Sequence, residues 1–398
     1  MTHTWSSPSN IALVKYWGKH GQQLPSNPSI SFTLSNCRST TSMTLKEGKG
    51  FTVALDGVDK PAFAAKIQTW FELYDENLTL AAAPRILPGG EAVKTGWDHV
   101  HTVTGLLNDH ALDRHSFVLA VGGGAFLDMV GFAAAIFHRG VKLIRIPTTT
   151  LSQNDAGIGV KNGINQHGQK NCLGTFSPPF AVINDIGFLN TLSFDHFIGG
   201  VAEAFKISLI RDQALFNYLE KNAHKLRSRD LKCIQKVIEI CALLHLDHIA
   251  KSGDPFETGS SRPLDYGHWS AHKIEILSNH TLSHGQAVSI GIALDSYYAF
   301  KRSLISEADF KRLLNAMVNC GLPVWSQYLE MEDSTGKLEI ETGLEEFRKH
   351  LGGRLTFTMP KGIGAVTECH EMDFDSIRQG ISFLKKYGKA NSLPDCPN

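Results

Sequence analysis

The spacing of apolar residues changes along the chain and predicts an α/β region followed by a helical one. Residues 117–121 and 142–146 are short apolar runs, which are typical of buried parallel strands. The small and apolar residues 129–137 between them predict a helix. After Phe197 the spacing becomes helical and predicts helices over residues 214–226, 231–250, 287–302 and 307–320. We therefore place a domain boundary near Ser193.

The other segments before the helical region predict shorter elements. Strands are expected over residues 51–55, 83–87 and 180–183, and helices over residues 61–74 and 97–109. Asp56 stands at the end of the first strand, where an acid commonly binds a ribose hydroxyl of a dinucleotide. A solvated turn at Asp56-Gly57 explains the residue equally well, so both interpretations stay open.

Three glycines follow the strand at residues 117–121 directly: Gly122, Gly123 and Gly124. Glycines at this point let backbone N–H groups approach a pyrophosphate, and the N-terminus of the next helix favours its charge. The next strand ends in a Pro-Thr-Thr-Thr segment, and a glycine-rich loop with Asp155 and Lys161 follows it. This order of segments indicates a nucleotide site with polar chemistry beside it.

A second group of polar residues lies in the helical half. His268 and His272 are four residues apart and share one helix face, and His284 follows twelve residues after His272. A histidine pair with this spacing is, taken alone, more often structural than metal-binding. Glu203 lies on the helix that is predicted just after the boundary.

Composition narrows the class of protein. Across 398 residues, 39 basic and 39 acidic side chains give zero formal net charge, so no nucleic-acid partner is indicated. The seven cysteines form no CxxC pair, which fits a reducing cytosol rather than a disulfide framework. No apolar run reaches the length of a membrane span, and no signal peptide is visible. We expect a cytoplasmic globular enzyme.

The segment over residues 121–206, together with its flanking segments, resembles the sugar-phosphate cyclase superfamily. The best-known member of that superfamily is 3-dehydroquinate synthase. The resemblance extends over about residues 51–380. The positions that match the family pattern are Glu91, Lys94, Gly122, Gly123, Gly124, Asp128, Arg139, Gly140, Pro147, Thr148, Thr149, Asp155, Lys161, Gly163, Asn165, Lys170, Asn171, Thr191, Ala202, Glu203 and Lys206. The resemblance implies a dinucleotide-binding Rossmann-like domain over residues 50–192 and an all-helical metal and substrate domain over residues 193–398.

The resemblance also implies cofactors and roles. NAD+ and a divalent metal, Zn²⁺ or Co²⁺, are expected. Three N/O ligands leave an open position, as a catalytic zinc site needs. The implied metal ligands are Glu203, His268 and His284. The implied catalytic residues are Asp155, Lys161, Lys206 and His272. The implied substrate-binding residues are Arg139, Asn171, Arg262 and Asp265. The implied cofactor contacts are Asp56, Glu91, Lys94, Gly123, Gly124, Asp128, Thr148, Thr149, Lys170 and Thr191.

In the family, NAD+ transiently oxidises a hydroxyl of a phosphorylated sugar, phosphate leaves by β-elimination, and an intramolecular aldol step closes a carbocycle. Arg139 matches an arginine that reaches a neighbouring subunit, which implies a homodimer. The family's substrate-binding positions differ here: Asp265 replaces an Asn, the arginine Arg262 is displaced by one position, and Asp247 lies near where a lysine is expected. These differences suggest a substrate without a carboxylate, such as a heptulose 7-phosphate. Asp265 is similar to the valiolone-forming cyclases, although those usually lack a histidine at position 272.

Residues 1–49 are different in character and resemble the start of diphosphomevalonate decarboxylase, with Lys15, Tyr16 and Trp17 among the similar positions. We interpret this segment as a substituted leader rather than a working element. Three further hypotheses stay open: an NAD- and metal-dependent alcohol dehydrogenase such as a glycerol dehydrogenase, a non-catalytic binder, and, with the least support, a mevalonate-pathway enzyme.

Overall fold

The computed structural model describes residues 85–167, 169–251, 265–350 and 355–391, together with six strands between residues 2 and 59. The chain forms two compact units, residues 1–83 and residues 84–398. Asp56, Arg262 and the predicted helix over residues 61–74 lie outside the described residues.

In the first unit the described strands form antiparallel pairs. The long strands β1 (Thr2–Val14) and β4 (Ile30–Thr44) pair so that Thr2 lies opposite Thr44 and Val14 opposite Ile30. The short strands pair in the same sense: β2 (Lys19–His20) with β3 (Leu24–Pro25), and β5 (Ala54–Leu55) with β6 (Val58–Asp59). Strand β5 lies within the strand that the sequence predicts over residues 51–55.

The second unit contains a three-stranded parallel sheet, which confirms the Rossmann-like class. Its strands are β7 (Phe117–Gly122), β8 (Lys142–Pro147) and β11 (Ala181–Val182), in the order β11-β8-β7. Helix α1 (Asp98–Asp109) precedes β7, and α2 (Gly124–Ile136) connects β7 to β8, as a parallel pair requires. Because Gly122 pairs with Pro147, the glycine turn and the Pro-Thr-Thr segment meet at one edge of the sheet.

A buried arginine fixes the loop that follows β8. The Arg145 guanidinium is fully buried and donates to the carbonyl oxygens of Gly157 at 3.1 Å and Gly159 at 2.8 Å. It also donates to the Asn162 side chain. This loop leads into a hairpin of β9 (Lys161–Gln166) and β10 (Gln169–Phe176). The arginine thereby positions the segment that carries Asp155.

The rest of the unit is mainly helical. Its helices are α3 (Phe194–Arg211), α4 (Gln213–Arg227), α5 (Leu231–Lys251), α6 (His268–Leu277), α7 (His284–Lys301), α8 (Glu307–Cys320), α9 (Glu339–His350) and α10 (Phe374–Ala390). Helices α3 and α7 form the centre, and both bury nearly their whole length in one apolar core. A hairpin of β12 (Phe357–Pro360) and β13 (Val366–Cys369) adds a β element that the sequence did not indicate.

One local prediction is wrong. Residues 85–89 belong to no regular element, although a strand is predicted over residues 83–87. A short 3₁₀ helix (Glu91–Lys94) follows, and its buried Val93 and Lys94 pack into the unit. The adjacent prolines and glycines explain the difference, because Pro84, Pro88, Gly89 and Gly90 leave too short an uninterrupted run for a ladder. Among the helices that the structure describes, none has the length and apolarity to cross a membrane.

Candidate active site

Three helices bring an acid and two imidazoles to one point. Glu203 lies in the middle of α3, where its side chain is almost fully buried. His268 and His284 are the first residues of α6 and α7. Ser283 caps α7 with a reciprocal capping box, and Gly267 adopts the left-handed conformation before α6 at φ 77°. The helix starts therefore fix both histidines.

The donor atoms of these side chains converge. The Nε2 atoms of His268 and His284 each lie 3.3 Å from Glu203 Oε1, and the candidate ligand atoms all lie within 4.8 Å of one another. Neither Glu203 oxygen accepts a well-directed hydrogen bond from the described residues. Two imidazole nitrogens and a carboxylate oxygen form a donor set that suits Zn²⁺ or Co²⁺. The residues present therefore fit a divalent metal.

The electrostatics of the cluster favour an ionised glutamate. Burial opposes the charge on Glu203, but Lys206 and His268 outweigh it and hold the pKa of Glu203 well below its usual range. Lys206 Nζ lies 2.5 Å from Glu203 Oε2, and this pair raises the pKa of Lys206 despite its burial. Burial also opposes the charged form of His284, yet the carboxylates of Glu203 and Glu275 raise the pKa of His284 to about 9.

A second layer of polar contacts orients the two histidines. His268 Nδ1 lies 3.0 Å from the carbonyl oxygen of Tyr266, which turns Nε2 toward Glu203. His284 Nδ1 lies 3.3 Å from Glu275 Oε2. Glu275 Oε1 also accepts a 3.0 Å bond from Lys170. The chain of contacts Lys170–Glu275–His284 links the start of β10 to the acid–imidazole cluster.

The peptide segment around His268 is held from behind by Asp295 of α7. Its carboxylate accepts from the backbone N–H of Gly267 at 2.9 Å and from the indole N–H of Trp269 at 2.7 Å. Burial raises the pKa of Asp295 to about 7, although both hydrogen bonds oppose this shift. Asp295 thus anchors the residues on both sides of His268.

Helices α3 and α7 approach closely through glycines. A Cβ atom at Gly285 would overlap the backbone of Gly199. The same atom added at Gly199 would lie 3.6 Å from the Gly285 Cα, an ordinary contact. The absence of a side chain at Gly285 therefore lets His284 reach Glu203.

Residues that the sequence associates with the cofactor lie together near the glycine turn. Thr148 N donates to the Gly122 carbonyl at 2.9 Å, and a Cβ at Gly123 would lie 3.2 Å from Thr149 Cγ2. Similarly, a Cβ at Gly124 would approach the Ala156 Cβ at 3.1 Å. The glycines therefore let the turn at the start of α2 pack closely against the segment that follows β8. This geometry fits a bound pyrophosphate.

A buried lysine joins two further residues of the predicted set. Lys94 Nζ donates to Asp128 at 2.7 Å and to Asn171 Oδ1 at 2.5 Å. Burial raises the pKa of Asp128, although the Lys94 charge opposes this effect. Glu91 accepts from the Asn165 amide at 3.0 Å. Asn171, which the resemblance places on substrate, thus lies in the same network as residues expected to contact the cofactor.

Asp155 lies in a short π-helix (Ser152–Ala156) after the Pro-Thr-Thr segment. Burial opposes its ionisation, but contact with His245 and the charge of Lys206 lower the pKa of Asp155. His272 lies one turn after His268 on α6, with ring centroids 5.7 Å apart. Solvent reaches its ring, yet enclosure by surrounding protein and the charge of His268 lower the pKa of His272.

The structure does not draw every predicted residue into these contacts. Arg139 is exposed after α2, with a left-handed φ of 64°. The Thr191 hydroxyl donates to the Phe188 carbonyl at 2.7 Å and closes a local turn. Lys161 begins β9 on its exposed side. Asp265 directly precedes the segment Tyr266-Gly267, and it is near enough to the cluster for its charge to act on Lys206.

Sequence reasoning missed His245, Glu275 and Asp295. Glu275 could have been found, because residues 268, 272 and 275 share one helix face. His245 lies one turn after the buried Cys241, so helical spacing places it on the inner face of α5. No motif distinguished Asp295.

Comparison with known proteins agrees with this geometry. The sequence profile of the 3-dehydroquinate synthase N-terminal domain matches residues 85–199, and the profile of its C-terminal domain matches residues 200–341. The chain belongs to the 3-dehydroquinate synthase family. A 3-dehydroquinate synthase of Dictyoglomus thermophilum is 34% identical over 80% of this chain and 88% of its own length.

Two solved structures share this fold. The 2-epi-5-epi-valiolone synthase ValA of Streptomyces hygroscopicus subsp. jinggangensis, with NAD+ and Zn²⁺ bound, is 29% identical with a TM-score of 0.70, over 80% of this chain and 89% of ValA. A 2-deoxy-scyllo-inosose synthase complexed with carbaglucose-6-phosphate, NAD+ and Co²⁺ has a TM-score of 0.62 at 23% identity, over 80% and 86% of the two chains.

The first residues match a different family. The profile of the diphosphomevalonate decarboxylase-like N-terminal domain matches residues 7–117. This match extends beyond residues 1–49, to which the sequence motifs limit the resemblance. This match overlaps the synthase profile from residue 85 onward. The two family signals therefore share residues 85–117.

Proposed function

We propose that the chain is an NAD- and metal-dependent sugar-phosphate cyclase whose substrate is a phosphorylated seven-carbon sugar. The observation that carries the proposal is the convergence of Glu203, His268 and His284 beside the buried Lys206. A dehydrogenase also needs a metal and a dinucleotide, but a phosphate leaving group calls for additional cations. Lys206 and Lys161 are those cations in this proposal.

Glu203, His268 and His284 would hold the divalent ion in residues 193–398. Such an ion stabilises negative charge that develops on a substrate oxygen. The protein's own contribution is to keep the three donors oriented, through the Tyr266 carbonyl behind His268 and the Glu275 carboxylate behind His284.

The glycine turn and its neighbours would hold NAD+ in residues 50–192. NAD+ supplies a site that accepts a hydride and returns it. Gly123 and Gly124 leave backbone N–H groups open to the pyrophosphate, next to Thr148 and Thr149. Lys94 and Asp128 form a buried pair that we assign to the cofactor side of the cleft.

Two side chains are deprotonated and can therefore accept a proton. Asp155 is ionised because its contact with His245 lowers its pKa. His272 is neutral because its enclosure lowers its pKa. A carboxylate and a neutral imidazole accept protons from a hydroxyl or from an acidified C–H. We assign these two proton acceptances to Asp155 and His272.

The phosphate end of the substrate is assigned to Lys161, Lys206 and Asn171. Arg139 is assigned to the substrate of a second copy of the chain, so we propose a homodimer. Its exposed position after α2 supports this assignment, because a contact between subunits needs an accessible cation.

The other end of the substrate is assigned from two acidic residues, one in place of a family asparagine and one near the position of a family lysine. Asp265 precedes the His268 segment, and Asp247 lies on α5. Carboxylates there disfavour an anionic substrate group and accept hydrogen bonds from hydroxyls. We therefore assign a heptulose 7-phosphate rather than a seven-carbon sugar acid as the substrate.

A substrate panel tests the proposal. The purified enzyme, loaded with NAD+ and Zn²⁺ or Co²⁺, is offered heptulose 7-phosphates, the phosphorylated seven-carbon sugar acid and glycerol. We expect phosphate release from a heptulose phosphate, a carbocyclic product and no net formation of NADH. Steady NADH formation from an alcohol without phosphate release would instead identify a dehydrogenase.

A further inference from the structure

His245 is a half-buried histidine that the proposed function does not use. It lies near the end of α5, with its side chain 12% exposed, and its Nδ1 atom is 2.9 Å from Asp155 Oδ1. Its other ring nitrogen faces the loop after the π-helix, where a Cβ at Gly159 would lie 3.4 Å from Nε2. The imidazole is thus enclosed between α5 and the segment that carries Asp155.

This contact is the main protein contact of the Asp155 carboxylate. Only Oδ1 is engaged, and among the described residues no side chain or backbone N–H bonds to Oδ2. The Asp155 side chain remains 26% exposed. The charges of Lys206 and Glu203 both act on Asp155, which places it beside the acid–imidazole cluster. One oxygen therefore faces His245, and the carboxylate as a whole lies near the acid–imidazole cluster.

We propose that His245 is a positioning residue for Asp155: its Nδ1–H holds one carboxylate oxygen so that the other accepts a substrate hydroxyl beside Glu203 and Lys206. This inference rests on the proposed function, because Asp155 needs a reacting hydroxyl to act on. A carboxylate on a short helix turn has free rotation about its side-chain bonds. The 2.9 Å contact with His245 Nδ1 restricts this rotation before the substrate arrives.

A structural role and a positioning role make different demands on the side chain. Packing requires only a group of similar size, which Leu supplies. Positioning requires a donor at the place of Nδ1, which the Asn amide nitrogen reproduces. The Gln amide nitrogen corresponds instead to Nε2 and points toward Gly159. The comparison of Leu, Asn and Gln at residue 245 therefore separates the two roles.

The test measures kcat and KM for phosphate release by the holoenzyme and its His245→Leu, His245→Asn and His245→Gln variants. We expect His245→Leu to lower kcat by about 10- to 100-fold with a smaller change in KM, because a misplaced group costs rate more than binding. His245→Asn should recover most of the lost rate, and His245→Gln should not. His224→Leu, which removes an exposed histidine from α4, is the matched control and should behave as the wild type.

A combined variant tests the route through Asp155. Because His245 acts only through that carboxylate, Asp155→Asn and the double variant with His245→Leu should have equal rates. Bound metal and retained NAD+ are measured in every variant and should match the wild type, since His245 contacts neither set of residues in the structure. These two readouts do not depend on turnover.

Several outcomes would overturn the inference. They are a wild-type rate in His245→Leu, equal rates in the Asn and Gln variants, and a double variant much slower than Asp155→Asn. If His245→Leu fails to fold, the Asn and Gln pair decides the question. If the wild type and His224→Leu both release no phosphate from any substrate, the proposed function itself fails and the inference falls with it.

Discussion

At the residue scale, Glu203 determines how the site works. It is a buried carboxylate that touches a lysine and two imidazoles, and it stays ionised because these groups outweigh the cost of burial. An unpaired buried charge is expensive, so each of these partners stabilises the others. A divalent ion would add positive charge at the same point.

Removal of one imidazole tests the assignment of the metal ligands. We expect His268→Ala to abolish metal binding and phosphate release while the fold remains mostly intact, because His268 begins its helix and keeps 12% of its side chain exposed. Metal per chain by elemental analysis and the circular dichroism spectrum provide the measurement. His280→Asn alters an exposed histidine outside the cluster and serves as the control. A His268→Ala variant with full activity would refute the assigned site.

Asp295 makes stability depend on pH. Its folded-state pKa of about 7 lies above the ordinary value of 3.8, so the folded chain binds more protons than the unfolded chain between these values. The contribution of Asp295 to stability is therefore lost as pH rises toward 7, by at most roughly 4 kcal/mol at about 1.4 kcal/mol per pKa unit.

Chemical unfolding of the wild type and Asp295→Asn over the range from about pH 4 to pH 8 measures this effect. The free energy of unfolding of the wild type should fall relative to the variant as pH rises, and the difference should level off above pH 7. A difference that is constant with pH would show that Asp295 is ionised throughout.

At the element scale, the contact between α3 and α7 sets the distance between Glu203 and His284. Gly285→Ala would force the helices apart, and overpacking of this kind costs about 1–3 kcal/mol. We expect a lower melting temperature and weaker zinc binding in this variant. Gly199→Ala adds the same atom on the facing helix, where the contact is 3.6 Å, and should be nearly neutral. Equal behaviour of the two variants would contradict the proposed role of this contact.

The elements themselves were largely predictable from the sequence. The helix predicted over residues 307–320 coincides with α8, and the one over 231–250 ends one residue short of α5. The amphipathic spacing of α8 is strong, and its ends carry Ser306 as a cap and Gly321 in the left-handed conformation. The strand over residues 83–87 failed because short apolar runs between prolines carry little periodicity. The β12–β13 hairpin has only four residues a strand, too few for a clear pattern.

Some residues of the candidate site could also be predicted from the sequence, and others could not. Glu203, His268 and His284 were identified because family motifs surround them. His245 and Asp295 were not, because their roles come from the packing of α5 and α7 against distant segments. A side chain that acts on another across a helix interface leaves no local spacing in the sequence. Only the three-dimensional structure brings such pairs together.

At the scale of the whole molecule, two family signals meet in one chain. The synthase profiles match residues 85–341, whereas the decarboxylase-like profile matches residues 7–117. The metal cluster, the glycine turn and the Lys94 network all lie in the unit of residues 84–398. We therefore propose that residues 1–49 are a substituted leader and that the chemistry belongs to the second unit.

The central claim is that this unit uses NAD+ as a catalyst in a cyclisation. In the decisive experiment, the zinc-loaded enzyme holds one NAD+ per chain and receives an excess of heptulose 7-phosphate. The concentrations of released phosphate and of NADH are followed together. We expect the amount of released phosphate to exceed the amount of NAD+ many times, with no NADH left at the end. Phosphate release that stops after one equivalent, or NADH that accumulates in step with substrate loss, would contradict it.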